Sequence, residues 1–471
     1  MKKKRRTWLI VVASCAAFVA VLFYLAVRED PRYVAASLLL EENRAKAEER
    51  FAPLTWEEYR DQNGSVFSDD RDKWDELFRS FPIDVGRFAG QNSPKYSTSE
   101  ETFLAYEQFF DVLPEEVARL KVHYVSDGGV IWTGSPLSTK GLAMYIGIAI
   151  EATAGLGRIE DLRRYVRSGF QIVEHYMDEP SEISVLIGNS IQIMVTNAVL
   201  RAAVKNRRSP EVVSALEELL DNAPLLPDPR DISAGEVRAW EDALVQLRKL
   251  KSNEVGPWLD NYRDYGTQWK FDKGSPLDRI KERWEDFTSG EEAQVRRTGA
   301  RTTAALEARL WEVLLARADA LRSVSFETGE GTAKAKALDY ALQQRDDPSY
   351  ELADELFPIY PIIQTLMSRS FIQQGADAVI ELVKRFPDYE SLPEGFPSDV
   401  SFIDPFGNGS PVLYKKTPTG FVVYTRFRDR HDDGFVFDDP AKLDRQYYNG
   451  LSSDRKDYGI VVNYELPTTA P

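Results

Sequence analysis

Five basic residues, Lys2 to Arg6, stand before a run from Trp8 to Val27 that holds no charged side chain. At about 1.5 Å per helical residue, some 20 such residues reach roughly 30 Å, the depth of a bilayer core. No other stretch limits the fold as much, because lipid is the natural surrounding for a helix apolar on every side. Basic flanks stay cytoplasmic, which places Lys2 to Arg6 in the cytosol and the chain beyond Arg28 on the far side. A cleaved signal peptide has a shorter apolar core of about 7–15 residues and then a small-residue cleavage site. This run instead ends Phe23-Tyr24-Leu25-Ala26-Val27. Val12-Ala13-Ser14-Cys15 has the look of a lipobox, but Ala16 to Val27 continues apolar where a lipoprotein would begin a polar tether. The expectation is an uncleaved anchor over residues 7–27 behind a cytoplasmic segment 1–6. It implies a single-pass membrane protein, N-terminus cytoplasmic and bulk extracytoplasmic.

Cys15 is the only cysteine, so disulfides, cysteine zinc sites and a cysteine nucleophile are excluded beyond the anchor. Residues 1–30 carry six positive and two negative charges, and the whole chain is −16, which leaves −20 on residues 31–471. So acidic a body argues against nucleic acid and against lying on anionic lipid. The three histidines, His123, His175 and His431, include no pair at metal-binding spacing and no H-E-x-x-H.

Residues 28–54 read as a juxtamembrane helix leading from the bilayer, and residues 55–386 as an extracytoplasmic helical domain. Within the latter, residues 55–130 look like short helices. Ile159, Leu162, Val166, Phe170, Val173 and Met177 repeat at helical spacing. Ile183 to Leu200 carries no charge, yet Asn189, Ser190, Gln192, Thr196 and Asn197 make it too polar for lipid, so it is expected as a buried core helix. Ser209-Pro210, Ser233 to Glu236 and Ser289 to Glu292 have the form of helix starts. Thr302 to Arg322 and Glu351 to Phe386 are further helices. After Pro387 the pattern changes to short strand candidates at Val412 to Tyr414, Phe421 to Tyr424 and Tyr458 to Tyr464. Residues 387–471 are therefore a small β-rich region. The fold class expected is mainly α: a membrane-anchored irregular helical bundle, or a solenoid-like array of helix pairs, with a small β-rich C-terminal tail.

Three constellations can carry chemistry. Asp429, Asp432 and Asp433, with Asp438 and Asp439, form an acidic loop able to offer oxygens to calcium, although no D-x-D-x-D-G loop is present and Arg426, Arg428 and Arg430 are interleaved. Asn189, Gln192 and Thr196 share one helix face at i, i+3 and i+7, and buried amides must find partners. A polar ligand cavity, helix–helix hydrogen bonds or a partly wet groove would each supply them. Trp258, Tyr262 and Trp269, with Tyr265 and Phe271, form an aromatic segment that can stack on a glycan or peptide partner, or pack on a neighbouring helix. Apart from calcium, no cofactor is expected. Gly329 to Lys334 lacks the spacer and ending of a phosphate loop.

Two stretches resemble a group of uncharacterised membrane-anchored proteins of planctomycete-type bacteria. One is the helical run Gly141 to Leu226, with Gly157-Arg158-Ile159-Glu160-Asp161-Leu162 and Glu179-Pro180. The other is the tail, Asp404-Pro405-Phe406-Gly407 through Pro411-Val412-Leu413-Tyr414, then Gly420 to Tyr424 and Asp432-Asp433-Gly434. The tail is also similar to the C-terminal region of type II secretion pseudopilins, but no pilin leader precedes the apolar segment. The resemblance implies a location, a bacterial inner membrane with the bulk periplasmic or otherwise extracytoplasmic, and an architecture, rather than an activity. The expectation for function is a non-enzymatic binding or scaffold protein of the cell envelope. The alternatives are an envelope hydrolase acting on glycan or cell-wall material, and an accessory of an export apparatus.

Overall fold

A computed structural model describes residues 31–63, 71–80, 99–119, 124–127, 130–133, 136–178, 180–249, 303–343, 359–398, 401–407, 409–426 and 458–464. The anchor segment 7–27, the aromatic segment with Trp258, Tyr262 and Trp269, and the acidic loop with Asp429, Asp432 and Asp433 lie outside these residues. The described chain is mainly helical, with a small antiparallel three-stranded sheet near its C-terminus.

The core is organised around the uncharged helix. It runs from Glu182 to Lys205 (α8 in chain order) and is capped by Ser181, whose hydroxyl accepts from the Ser184 N–H at 3.2 Å. Its most apolar stretch is hydrophobic enough to cross a membrane by composition, but 72% of that stretch is buried inside the protein. α6 (Pro136–Gly155), α7 (Ile159–Met177), α9 (Pro210–Asp221), α10 (Pro229–Lys249) and α13 (Ile359–Arg385) all pack on α8. Burial on most sides explains why its sequence needs so few charges. α7 is amphipathic as its spacing requires, with Leu162, Val166, Phe170 and Val173 buried.

Upstream, α1 (Pro31–Phe51) is part of this body rather than a separate stalk. It lies along α11 (Thr303–Leu321), where Asn43 donates to the Ala308 carbonyl at 3.1 Å and Arg50 pairs with Asp319 at 2.7 Å. Arg44 pairs with the buried Glu241 of α10 at 2.8 Å. α2 (Trp56–Asn63), α3 (Arg71–Ser80), α4 (Ser99–Ala105) and α5 (Glu107–Arg119) follow. The expectation of helices alone up to residue 130 needs correction: β1 (Tyr124–Asp127) and β2 (Val130–Thr133) form an antiparallel hairpin. The helix start expected at Ser233 is also corrected. α10 already begins at Pro229, where Asp228 accepts from the Arg230 N–H at 2.7 Å. Ser233 sits inside the helix and donates to the carbonyls of Pro229 and Ala318. Gly235 two residues on permits close approach, since a Cβ there would stand 1.9 Å from the Pro180 carbonyl oxygen before α8.

After α12 (Thr332–Gln343) and α13, strands β3 (Leu413–Thr417), β4 (Gly420–Thr425) and β5 (Tyr458–Asn463) form the sheet in the order β3-β4-β5. Thr417 opposite Gly420 makes a two-residue hairpin turn. Alternation puts Phe421 and Val423 on one face with Ile460 and Val462, in the same contiguous core as Phe371, Val379 and Leu382 of α13. The helices and the sheet therefore share one interior.

Candidate functional site

Asn189, Gln192 and Thr196 all fall inside the protein, each at least 97% buried, on the side of α8 that faces α13. The two helices run parallel. Near their N-terminal ends the Asn189 amide donates to the Thr365 carbonyl at 3.4 Å. Past their C-terminal ends Arg207 donates to the Pro387 carbonyl at 2.9 Å and Arg208 pairs with Asp388 at 2.7 Å. Between these points the Gln192 amide donates to the Gln373 side-chain oxygen at 3.5 Å and to the Pro224 carbonyl at 3.3 Å. The amide nitrogens thus make long helix–helix and helix–loop hydrogen bonds. The oxygens do not: Asn189 Oδ1, Gln192 Oε1 and Thr196 Oγ1 are buried without a partner.

α13 answers this stripe with one of its own. Arg369, Gln373 and Asp377 succeed one another at i, i+4 and i+8 on the same side of the helix. Arg369 is 2% exposed. Its Nη2 donates to the Pro224 and Leu225 carbonyls at 2.9 and 3.2 Å, in the loop between α9 and α10, and its Nη1 reaches only the Met177 sulfur at 3.8 Å, at the end of α7. Among the described residues no carboxylate pairs with it. Burial alone pulls its pKa down to about 9, so it stays cationic at neutral pH. A guanidinium offers five donors, and three are accounted for here. A buried cation without a counter-ion, beside buried acceptors without donors, is a poor way to hold two helices together.

Further along, Gln373 donates to the Leu220 carbonyl at 3.1 Å and to Asp377 at 3.5 Å. The Asp377 carboxyl is pushed up to about 7, chiefly by burial and then by the negative charge of Asp221 at the end of α9, against a small opposing effect of Gln373. The chemistry assembled here is one buried cation, three free acceptors and a carboxyl that titrates near neutrality.

Sequence reasoning placed the α8 half of this seam and missed the α13 half. Arg369, Gln373 and Asp377 recur at four-residue spacing, but Gln364, Thr365, Ser368, Ser370 and Gln374 around them hide that stripe in the sequence. His175 is buried with Nε2 3.3 Å from the Val117 carbonyl oxygen, a packed histidine outside the seam.

The tail motif has a different character. Asp404 is fully buried, and both its oxygens are occupied. Oδ1 accepts from the Phe406 N–H at 2.9 Å and from the Thr425 hydroxyl, and Oδ2 accepts from the Arg426 N–H at 3.1 Å with the Arg426 guanidinium 3.7 Å away. One carboxylate therefore ties the loop before β3 to the end of β4. The next residue closes the corner on the helices. Gly329, at φ +71°, lies so close that a Cβ would stand 2.2 Å from the Pro405 carbonyl oxygen. No family model matches this chain, and no curated protein and no solved structure matches it.

Proposed function

We propose that this is a single-pass, membrane-anchored, extracytoplasmic binding or scaffold protein of the bacterial cell envelope, without an enzymatic activity of its own. The observation that carries the binding reading is the α8–α13 seam, where a buried Arg369 has no carboxylate partner among the described residues and three buried acceptors on α8 are unpartnered. Two other buried charges are tied into the fold, Glu241 by Arg44 and Asp404 by three hydrogen bonds with the Arg426 guanidinium nearby. An irregular bundle accounts for α8 touching five other helices better than a solenoid, in which each unit touches only its neighbours. The anchor reading rests on Trp8 to Val27 and gains from α1. That helix begins at Pro31 and is bonded into the body from Asn43 on, which would hold the body close to the bilayer. The likeness to planctomycete-type anchored proteins is part of the same proposal, and the Asp404 corner supplies a structural reason for such a tail motif.

One observation favours a second reading. A carboxyl held up near neutrality is how carboxylate hydrolases keep a general acid, and Asp377, pushed up to about 7 by burial and by its neighbour Asp221, fits that part of the pattern. Crosslinking the intact chain in its native membrane, together with assays for glycan and cell-wall turnover, separates the two. Recovery of a stable partner without turnover supports the binding reading. Turnover that disappears in Asp377→Asn overturns it in favour of a hydrolase.

A further inference from the structure

We infer that Arg369 and the acceptors on α8 form a site for a small carboxylate ligand that also carries N–H or O–H donors, an amino acid or hydroxy acid, and that the loop between Asp221 and Pro229 closes over it. The inference rests on the binding reading above and names its ligand class.

The positions converge. Asn189 bonds the Thr365 carbonyl, one turn before Arg369, while Gln192 and Arg369 share the Pro224 carbonyl. Arg369 therefore lies between the two amides, which stand one turn, roughly 4.5 Å of helix rise, apart on α8. A guanidinium alone would take any oxyanion. The acceptors beside it narrow the choice: Asn189 Oδ1 and Gln192 Oε1 repel a bare anion and accept from a ligand donor. Turning either amide round would set its oxygen against the carbonyl it now bonds. One ligand with a carboxylate for Arg369 and an ammonium or hydroxyl for the amide oxygens satisfies both halves.

The loop now occupies the carboxylate's place. The Pro224 and Leu225 carbonyls supply the oxygen atoms at Arg369 Nη2, as a ligand carboxylate would. The Leu225 side chain meanwhile points out to solvent at 87% exposure, so its apolar surface does not hold the loop shut. Its neighbours Ala223 and Leu226 pack against the core, so opening lifts these two side chains together with the carbonyls that Arg369 and Gln192 now bond.

The test is titration calorimetry on the full-length chain in detergent with glycine, L-alanine, D-alanine and L-lactate, and with acetate and sulfate as oxyanions without donors. Saturable binding of at least one amino or hydroxy acid is expected. It should be weakened at least about tenfold in Arg369→Met and in Gln192→Leu, with acetate and sulfate weaker by a similar factor. Cooperative thermal unfolding of each variant serves as the folding control. The inference is overturned if none of the four acids binds, if Arg369→Met binds as the native chain does, or if acetate and sulfate bind equally well. A crosslinked envelope partner without small-molecule binding would sink this inference and leave the broader binding reading standing.

Discussion

The Asp404 corner and the α8–α13 seam both bury charge, and they do so in opposite ways. At the corner each carboxylate oxygen has a donor, from backbone or hydroxyl, with a guanidinium nearby, and the loop, β4 and Gly329 are fitted around them. In the seam a full positive charge rests on two carbonyls and a sulfur, while three acceptors opposite have nothing to accept. The corner is what a polar group looks like when it specifies a fold. The seam resembles a place where stability has been given up for something else, since a half-satisfied network is worse than an apolar one.

The contrast can be broken by mutation. The largest effect is expected at Asp404. Asp404→Ala leaves the Thr425 hydroxyl and two backbone N–H groups buried without an acceptor, and should lower stability by about 3–5 kcal/mol in denaturant titration. A loss under 1 kcal/mol would mean that water replaces the carboxylate and that the corner is not a lock. Next comes Gly329→Ala, which adds a Cβ at a left-handed φ against the Pro405 carbonyl. A loss of about 2 kcal/mol or more is expected from strain and overlap together.

Asp377→Asn acts in the opposite direction and depends on pH. The folded-state pKa is raised to about 7, so between about pH 4 and 7 the folded chain binds more protons than the unfolded one. This group's contribution therefore falls as pH rises through that window. Removing the charge should stabilise the chain by about 1–3 kcal/mol at pH 8, and the gain should vanish near pH 4. Equal effects at both pH values would contradict the burial and repulsion assigned to Asp377.

The corner and the seam were not equally legible in the sequence. The strands flanking the corner announce themselves through β-branched and aromatic runs at Phe421 to Tyr424 and Tyr458 to Tyr464, bounded by turn residues. The uncharged α8 and its amides are local patterns too, and the burial of all three polar residues follows from them. Arg369 is different. Between Ser368 and Ser370 it reads as an exposed step on a helix, and what buries it comes from elsewhere: the α9–α10 loop, more than 140 residues away, and the end of α7. The β1–β2 hairpin was missed for a local reason. Its strands are only four residues each, and the Gly128-Gly129 turn signal between Asp127 and Val130 was outweighed by helical spacing nearby. Ser233 misled because S-x-x-E occurs inside helices as well as at their starts, and Asp228-Pro229 upstream was the better start signal.

The most direct test sets the two regions side by side: denaturant unfolding of the full-length chain carrying Arg369→Met or Asp404→Ala. Arg369→Met removes a buried, unpaired charge and keeps its volume, so the expected change is within about 1 kcal/mol of zero, or a small gain, against a loss of several kcal/mol for Asp404→Ala. If Arg369→Met instead destabilises the chain as much as Asp404→Ala, Arg369 is part of the structural framework, and the seam is not a site kept for a ligand.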